Sequence, residues 1–153
     1  MLDSTDLKLL TELQRNAQAT SLELTERLHL SASQISRRKA RLEAEGYIEG
    51  YVAQLNPDKL GLAVQAFVQV SMSGHTAENA KVFQDMAQRR PEVSSLWTLT
   101  GEADYLLRVW CRSLHDLNQL VHEVFLPHDA VARVQTKIVM AQLKTDAGLP
   151  VDE

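Results

Sequence analysis

The chain has 153 residues, of which 24 % are charged and 44 % belong to the apolar set, with a formal net charge of −4. This is the composition of a globular protein with a hydrophobic core, and it excludes a largely disordered chain. No apolar run approaches the roughly 20 residues that span a bilayer, and the N-terminus lacks the basic start of a secretion signal, so we expect a cytoplasmic protein with no membrane segment.

Two short helices are predicted at the start of the chain. Leucines recur at three- and four-residue spacing after Asp3, a good N-cap residue, and predict an amphipathic helix over 4–16. A capping box, Thr20-Ser21-Leu22-Glu23, predicts a second helix over 21–28.

A third helix is predicted to begin at the capping box Ser31-Ala32-Ser33-Gln34 and to end at Gly46, which can adopt the left-handed conformation. The turn between the second and third helices is about four residues long. This arrangement is typical of a helix-turn-helix, in which the second helix of the pair enters the DNA major groove.

The third helix carries a basic run, Arg37, Arg38, Lys39 and Arg41, although residues 1–55 together contain seven Lys/Arg and eight Asp/Glu. A helical wheel places Ile35 and Leu42 on the buried side, with Arg37 and Arg41 opposite them. We interpret Arg37 and Arg41 as contacts to guanine edges or phosphates, and Arg38 as a phosphate contact. The candidate DNA-binding residues are Ser31, Ser33, Gln34, Arg37, Arg38 and Arg41. The alternative is a solvated basic face with partners such as Glu45 for Arg41.

The boundary between two domains is predicted after the stretch 47–55, which is β-prone and suggests a short wing or linking strand. Asn56-Pro57-Asp58 and Gly61 interrupt this pattern. We therefore predict a DNA-binding domain over 1–55, a linker over 56–61 and a second domain over 62–153.

The second domain follows the order βαββαβ, which predicts a ferredoxin-like, antiparallel sheet with both helices on one face, and an α+β protein overall. Its predicted elements are an alternating strand from Leu62 to Ser73, a helix between Thr76 and Pro91, strands over 93–100 and 105–112, a helix between Ser113 and Pro127, and a strand over 131–143. Phe67 and Trp110 lie on the open face of this sheet, and we therefore expect a homodimer across that face.

The sequence resembles the Lrp/AsnC family of feast/famine regulators over nearly its whole length. The motifs that carry the resemblance are Leu2-Asp3, Leu30-Ser31, Arg38 with Arg41-Leu42-Glu43, Gly46-Tyr47-Ile48, Asn56-Pro57 and Gly101-Glu102-Ala103-Asp104-Tyr105-Leu106-Leu107. The resemblance implies a dimeric or octameric transcriptional regulator that binds an amino acid effector between subunits. The chain departs from the family pattern at Lys39, usually apolar, and in the Leu126–Val131 loop, which lies near the effector site in the family and is two residues longer here.

The turn from Gly101 to Asp104 is the predicted effector site. Glycine exposes backbone N–H groups that can hold a carboxylate, and Glu102 or Asp104 can meet an ammonium group. Without the family resemblance, a plain hairpin with an acidic tip is the favoured interpretation. The candidate effector-binding residues are Trp97, Thr100, Gly101, Glu102, Asp104 and Tyr105.

Other chemistry has little support in the sequence. Histidines 29, 75, 115, 122 and 128 show no ligand spacing, the single Cys111 has no second thiol, and nucleotide-binding and nucleophile motifs are missing, so we expect no metal, no cofactor and no enzyme. Among the histidines, His128 is the strongest candidate for a functional role. Two alternatives to a DNA-binding regulator stay open: an enzyme similar to the siroheme decarboxylases, which share this fold, and a ligand-sensing oligomer without DNA affinity.

Overall fold

A computed structural model describes residues 1–74, 76–145 and 148–151 of the chain. The described residues divide into two units: Met1–Gln54 with the C-terminal segment from Lys144, and Leu55–Leu143. The sequence predicts that all of 62–153 belongs to the second domain, whereas the segment from Lys144 groups with the first unit. No helix among these residues combines the length and the hydropathy needed to cross a membrane.

The first unit contains the three predicted helices. They are α1 (Ser4–Arg15), α2 (Ser21–Leu28) and α3 (Ala32–Ala44). Reciprocal capping boxes begin all three, at Asp3, Thr20 and Ser31. Each box satisfies backbone N–H groups that have no partner inside the helix, which is why the local sequence sets where each helix begins.

One buried cluster holds the three helices together. Its members are Leu9, Leu13, Leu24, Ile35 and Leu42. Full burial of a leucine or isoleucine side chain contributes about 1.5–3 kcal/mol, so this cluster is the main source of stability of the unit. After α3, Gly46 has a φ of 78°, and the N–H of Tyr47 donates to the carbonyl of Leu42 at 2.9 Å, which ends the helix as predicted.

The strand predicted over 47–55 is not formed. These residues are extended or irregular and mostly exposed, and none pairs with a strand in the part of the chain that the structure describes. A β-prone segment becomes a strand only when a neighbour supplies backbone partners, and β-propensity cannot replace that neighbour. The second unit starts at Leu55, and its first element is a short 3-10 turn at Asp58–Leu60.

The second unit has the predicted βαββαβ order. Its elements are β1 (Val64–Met72), α4 (Ala77–Gln88), β2 (Val93–Thr98), β3 (Tyr105–Cys111), α5 (Leu114–Gln119) with a π-helical continuation (Leu120–Phe125), and β4 (Val131–Ile138). The strands form one antiparallel sheet in the order β2-β3-β1-β4. The ferredoxin-like fold is therefore confirmed.

Alternation along the two central strands separates the two faces of the sheet. Val68 and Leu107 are paired across β1 and β3 and fully buried, with Phe83 and Phe125 in the same core cluster. The intervening residues Gln65, Phe67, Gln69, Leu106, Arg108 and Trp110 lie on the opposite, open face and are half-buried. The open face therefore mixes aromatic and polar groups.

The last strand is shorter than predicted. It ends at Ile138, opposite Ala66 of β1, whereas the predicted strand continued to residue 143. Beyond it, Met140 and Leu143 are almost completely exposed. Strand β4 lies at the edge of the sheet next to β1. The N–H of Val139 still donates to the carbonyl of Gln65 at 2.9 Å, but β1 begins at Val64, so the chain farther on has no more of β1 to pair with.

His128, in the loop that departs from the family pattern, has a structural role. Nδ1 of His128 accepts a hydrogen bond from the N–H of Ala130 at 3.2 Å, and its ring meets Phe83 edge-on at 5.7 Å between centroids. These contacts fix the turn that leads into β4, so His128 orders the loop.

Candidate functional site

The N-terminal end of α3 is exposed and held by its own side chains. Oε1 of Gln34 accepts hydrogen bonds from the backbone N–H and from the hydroxyl of Ser31, both at 3.0 Å. The Ser33 hydroxyl lies 3.1 Å from that of Ser31. Of the predicted DNA-binding residues, Ser31 and Gln34 thus form the cap, while Ser33 stands beside it on the surface.

A buried carboxylate on α1 binds two arginines of α3. Asp6 is completely buried; its Oδ1 accepts from Nη1 of Arg38 at 2.6 Å, and its Oδ2 accepts from Nη2 of Arg41. Nη1 of Arg38 also donates to Asp3 at 2.7 Å. Two helices are therefore joined by a charged network at the surface of the unit.

The network keeps Asp6 ionised. Burial opposes ionisation, but hydrogen bonds from the backbone N–H of Asp3 and from both arginines outweigh it and lower the pKa of Asp6 to about 2. A buried charge is tolerated only when it is paired in this way. The arginines therefore contribute to folding as well as to the charge of the helix.

This geometry corrects the predicted orientation of Arg41. We expected its side chain to point away from the unit, but it turns back to α1 and pairs with Asp6, not with Glu45. A helical wheel gives the direction of Cβ, whereas the long arginine side chain can bend towards a buried charge. Arg41 keeps 40 % of its side-chain surface exposed, and Arg38 keeps 23 %.

Arg37 differs from its two neighbours. It is exposed, and within the described residues it forms no side-chain hydrogen bond or ion pair. Lys39 is half-buried, with Nζ 4.8 Å from the centre of the Tyr51 ring, a favourable cation–π position. The lysine that departs from the family pattern thus packs on an aromatic ring instead of entering the core.

The turn at Gly101 in the second unit has the left-handed backbone that favours glycine, with a φ of 115°. Asp104, one of the two acids predicted to meet an ammonium group, binds within the protein: its Oδ2 accepts from the N–H of Met72 at 2.7 Å. Its backbone N–H donates to Val70 at 2.9 Å. Asp104 therefore fastens the turn to β1.

Two further predicted effector residues, Tyr105 and Trp97, do not lie on the surface of this turn. Tyr105 is buried among the core residues; its hydroxyl accepts from Nε2 of Gln84 at 3.0 Å and its ring packs on Phe83. Trp97 is 43 % exposed and pairs with Leu106 on the open face of the sheet. The β-strand alternation places Tyr105 on the core side, away from the surface of the turn.

A pocket of about 270 Å³ lies beside the turn and includes Thr100 and Glu102 in its lining. Its other polar lining residues come from the open face of β1 and β4: Gln69, Ser71, Arg133, Gln135 and Lys137. The Ser71 hydroxyl donates to the carbonyl of Glu102 at 2.9 Å and joins the strand to the turn. The pocket thus offers an acid, two cations and two amides.

These five strand residues were missed from the sequence. The signal was present, because Gln69 and Ser71 alternate with buried valines, and Arg133, Gln135 and Lys137 alternate along β4. Only the register brings the two sets together: Gln69 pairs with Gln135, and Ser71 with Arg133. That register depends on tertiary contacts.

Metal chemistry has no support in the described part of the chain, where no three His, Cys, Asp or Glu side chains are grouped to hold an ion. His75, one of the histidines considered above, lies outside the described residues. Cys111 is buried, and this burial, followed by the charges of Glu92 and Asp116, raises the pKa of its thiol.

Two family models match the chain. A winged helix-turn-helix DNA-binding model matches residues 2–49, and the Lrp/AsnC ligand-binding domain matches residues 65–149. The first match lies in the helical unit, and the second covers the sheet and continues into the C-terminal segment.

Named relatives cover almost the full length. The leucine-responsive regulatory protein of Rhizobium meliloti is 35 % identical over 143 residues, covering 94 % of this chain and 92 % of that protein. The DNA-binding transcriptional activator DecR of Escherichia coli K12 is 32 % identical over 152 residues, covering 99 % and 100 %. A crystal structure of a transcriptional regulator from Neisseria meningitidis in complex with L-methionine has a TM-score of 0.95 at 36 % identity, covering 99 % and 98 %.

Proposed function

The chain belongs to the Lrp/AsnC family, and from this we propose that it is a sequence-specific DNA-binding transcriptional regulator whose action responds to an amino acid. The named relatives are regulators, and we propose a regulatory and not an enzymatic role here. Since its target is chromosomal DNA, we assign it to the cytoplasm.

We assign DNA recognition to α3. The observation that carries this assignment is the exposed Arg37, a cation without a protein partner among the described residues, in the first half of the helix. Arg37 can donate two hydrogen bonds to a guanine edge, with Ser33 beside it. The remaining N–H groups of Arg38 and Arg41 can reach phosphates, because Asp6 holds both guanidinium groups in fixed positions.

We propose that the protein acts as a homodimer through the open face of the sheet, with octamers as a further assembly. Phe67 and Trp110 on that face support this, because half-exposed aromatic groups on a sheet face favour a covering partner. A two-fold dimer reads two half-sites whose centres are about 34 Å apart or a multiple of this distance.

We assign effector binding to the pocket beside the Gly101 turn. The relative from Neisseria meningitidis was solved with L-methionine, which supports an amino acid as the ligand class. Arg133 or Lys137 can bind the α-carboxylate, and Glu102 can accept from the ammonium group. The volume of about 270 Å³ can hold one amino acid, and Thr100 adds a hydroxyl to the lining.

Two measurements test the proposed function. Fluorescence anisotropy with DNA from upstream of the protein's own gene should show tight binding that weakens steeply with salt, against random DNA of equal length. A thermal-shift screen of the twenty amino acids should find at least one that raises the melting temperature, because a ligand of the native state stabilises it. Equal affinity for specific and random DNA would contradict sequence-specific regulation, and twenty inactive amino acids would contradict the ligand class.

A further inference from the structure

The first unit carries an apolar groove of about 730 Å³ along α1. Leu7, Leu10 and Leu13 of α1 line one side, and residues 46–52 line the other. The C-terminal residues Leu149–Val151 complete the lining, although they are almost one hundred positions away in sequence from residues 46–52. Residues Leu149–Val151 therefore lie against the first unit as one wall of the groove.

The side chain of Gln14 holds this occupant by its backbone. Its Oε1 accepts from the N–H of Leu149 at 2.6 Å, and its Nε2 donates to the carbonyl of Leu149 at 3.1 Å. The glutamine amide thus satisfies both backbone groups of one residue, as a neighbouring strand would. Leu149 is 79 % exposed, so Gln14 recognises its backbone.

Gly148 makes this close approach possible. Its φ is +80°, and a Cβ there would lie 2.6 Å from Oε1 and 3.0 Å from Cδ of Gln14. Gln14 could relieve this overlap only by moving its amide, which would break both hydrogen bonds to Leu149. Pro150 follows Leu149. Its ring fixes φ, and the residue has no backbone N–H that could form another hydrogen bond.

Docking changes how the first unit is attached to the rest of the chain. The polypeptide passes from the first unit to the second after Gln54 and returns to the first from Lys144. With the C-terminal segment docked, two stretches of chain connect the units, and with it released, only the stretch after Gln54 does. A second connection reduces the number of orientations that a tethered unit can adopt.

We propose that the surface of α1 around Gln14 is a docking site for the backbone of Gly148–Val151, and that this docking limits which spacings between DNA half-sites the protein accepts. The second part rests on the proposed function, since it presupposes two half-sites. The physical reason is that a DNA-binding unit with fewer accessible orientations loses less conformational entropy when it binds half-sites at the spacing that fits those orientations. Half-sites at other spacings can be bound only with strain in the protein or the DNA.

The docking itself is tested without DNA, by amide hydrogen exchange at Leu149. Gln14→Ala and Gly148→Ala should accelerate this exchange at least about tenfold, since both remove the acceptor from its position. Leu149→Ala should leave it slow, because the exposed side chain takes no part. Gly61→Ala controls for backbone strain: its φ is +74°, but a Cβ there meets nothing within 4 Å. Unchanged exchange in both docking variants would overturn the docking.

The effect on DNA is tested by operators in which one to ten base pairs are inserted between the half-sites. Wild type should prefer one spacing, and Gln14→Ala should reduce the ratio between the best and the poorer spacings by about three- to tenfold, with Leu149→Ala like wild type. Gln14 is exposed on α1 and alanine favours a helix, so this variant should fold, which its melting curve verifies. If wild type binds DNA and the variants share its spacing profile, the inference is wrong; if wild type binds no DNA, the proposed function is wrong instead.

Discussion

The carboxylate of Asp6 is buried between two arginines, and its hydrogen bond from Arg38, 2.6 Å long, connects α1 to α3 through residues that are 32 positions apart in sequence. In the same carboxylate, the other oxygen binds Arg41. Asp6 therefore positions two arginines of the basic face proposed to contact DNA. Its ionisation also makes the stability of the unit depend on pH.

Asp6→Asn should destabilise the first unit at neutral pH by about 2 kcal/mol, because the pKa of Asp6 falls from 3.8 to about 2 on folding. A lowered pKa stabilises the fold above the unfolded value, near 4, and this contribution is lost as the pH falls towards 2. Urea unfolding at pH values from 7 to 2 should thus show a difference between the two proteins that shrinks below pH 4. The exposed Asp58→Asn serves as a control with the wild-type profile. A difference independent of pH would contradict the role of the ionised carboxylate.

Arg37→Ala should weaken specific DNA binding by about 1–3 kcal/mol and relax the preference at one base position, as expected for a base contact. Anisotropy titrations with the operator and with single-base variants measure both effects. Arg15→Ala removes an exposed arginine from α1, whose partner is Glu12, and should change neither. A loss that is the same for every sequence would reassign Arg37 to a phosphate.

Glu102→Gln should raise the dissociation constant of the effector about tenfold or more, because the carboxylate proposed to accept from the ammonium group becomes a neutral amide. Isothermal titration with the amino acid selected by the thermal-shift screen gives this constant. Glu78→Gln, in the first turn of α4, is the matched control. An unchanged dissociation constant in Glu102→Gln would exclude Glu102 from the site.

Tyr105→Phe tests whether the Tyr105 hydroxyl serves the stability of the core or binds the effector. The change removes the hydrogen bond from Gln84 and should cost about 1 kcal/mol of stability, while the effector affinity stays at the wild-type value. Urea unfolding and titration calorimetry on the same preparation provide both numbers. A large loss of effector affinity with an unchanged free energy of unfolding would show instead that Tyr105 contacts the effector.

Phe83→Ala should destabilise the second unit by about 3–5 kcal/mol, because the ring is fully buried between Tyr105 and Phe125 and leaves a cavity. Its neighbour Val82 is 53 % exposed, and Val82→Ala should change the stability by no more than about 0.5 kcal/mol. Denaturant midpoints of the two variants test this difference, and equal midpoints would contradict the assignment of Phe83 to the core.

The sequence by itself determined the features whose causes are local. A capping box needs only residues three positions apart, so the starts of α2 and α3 could be predicted at Thr20 and Ser31, and Gly46 marked the end of α3. The alternation of residues 64–73 determined a strand with one apolar face in the same way. Together with the family motifs, these patterns were enough for the fold of both units.

The tertiary structure alone decided where long or paired side chains go. The position of Arg41 on its helix is local, but its contact depends on Asp6, 35 residues away. Asp104 was predicted from its turn as a partner for an ammonium group, and its contact with Met72 of β1, 32 residues away, could not be read from the sequence. Register brought Arg133 and Gln69 to one pocket, and Gln14 bound Leu149 across 135 positions. Such contacts depend on which distant groups the fold brings together, and no local pattern encodes that information.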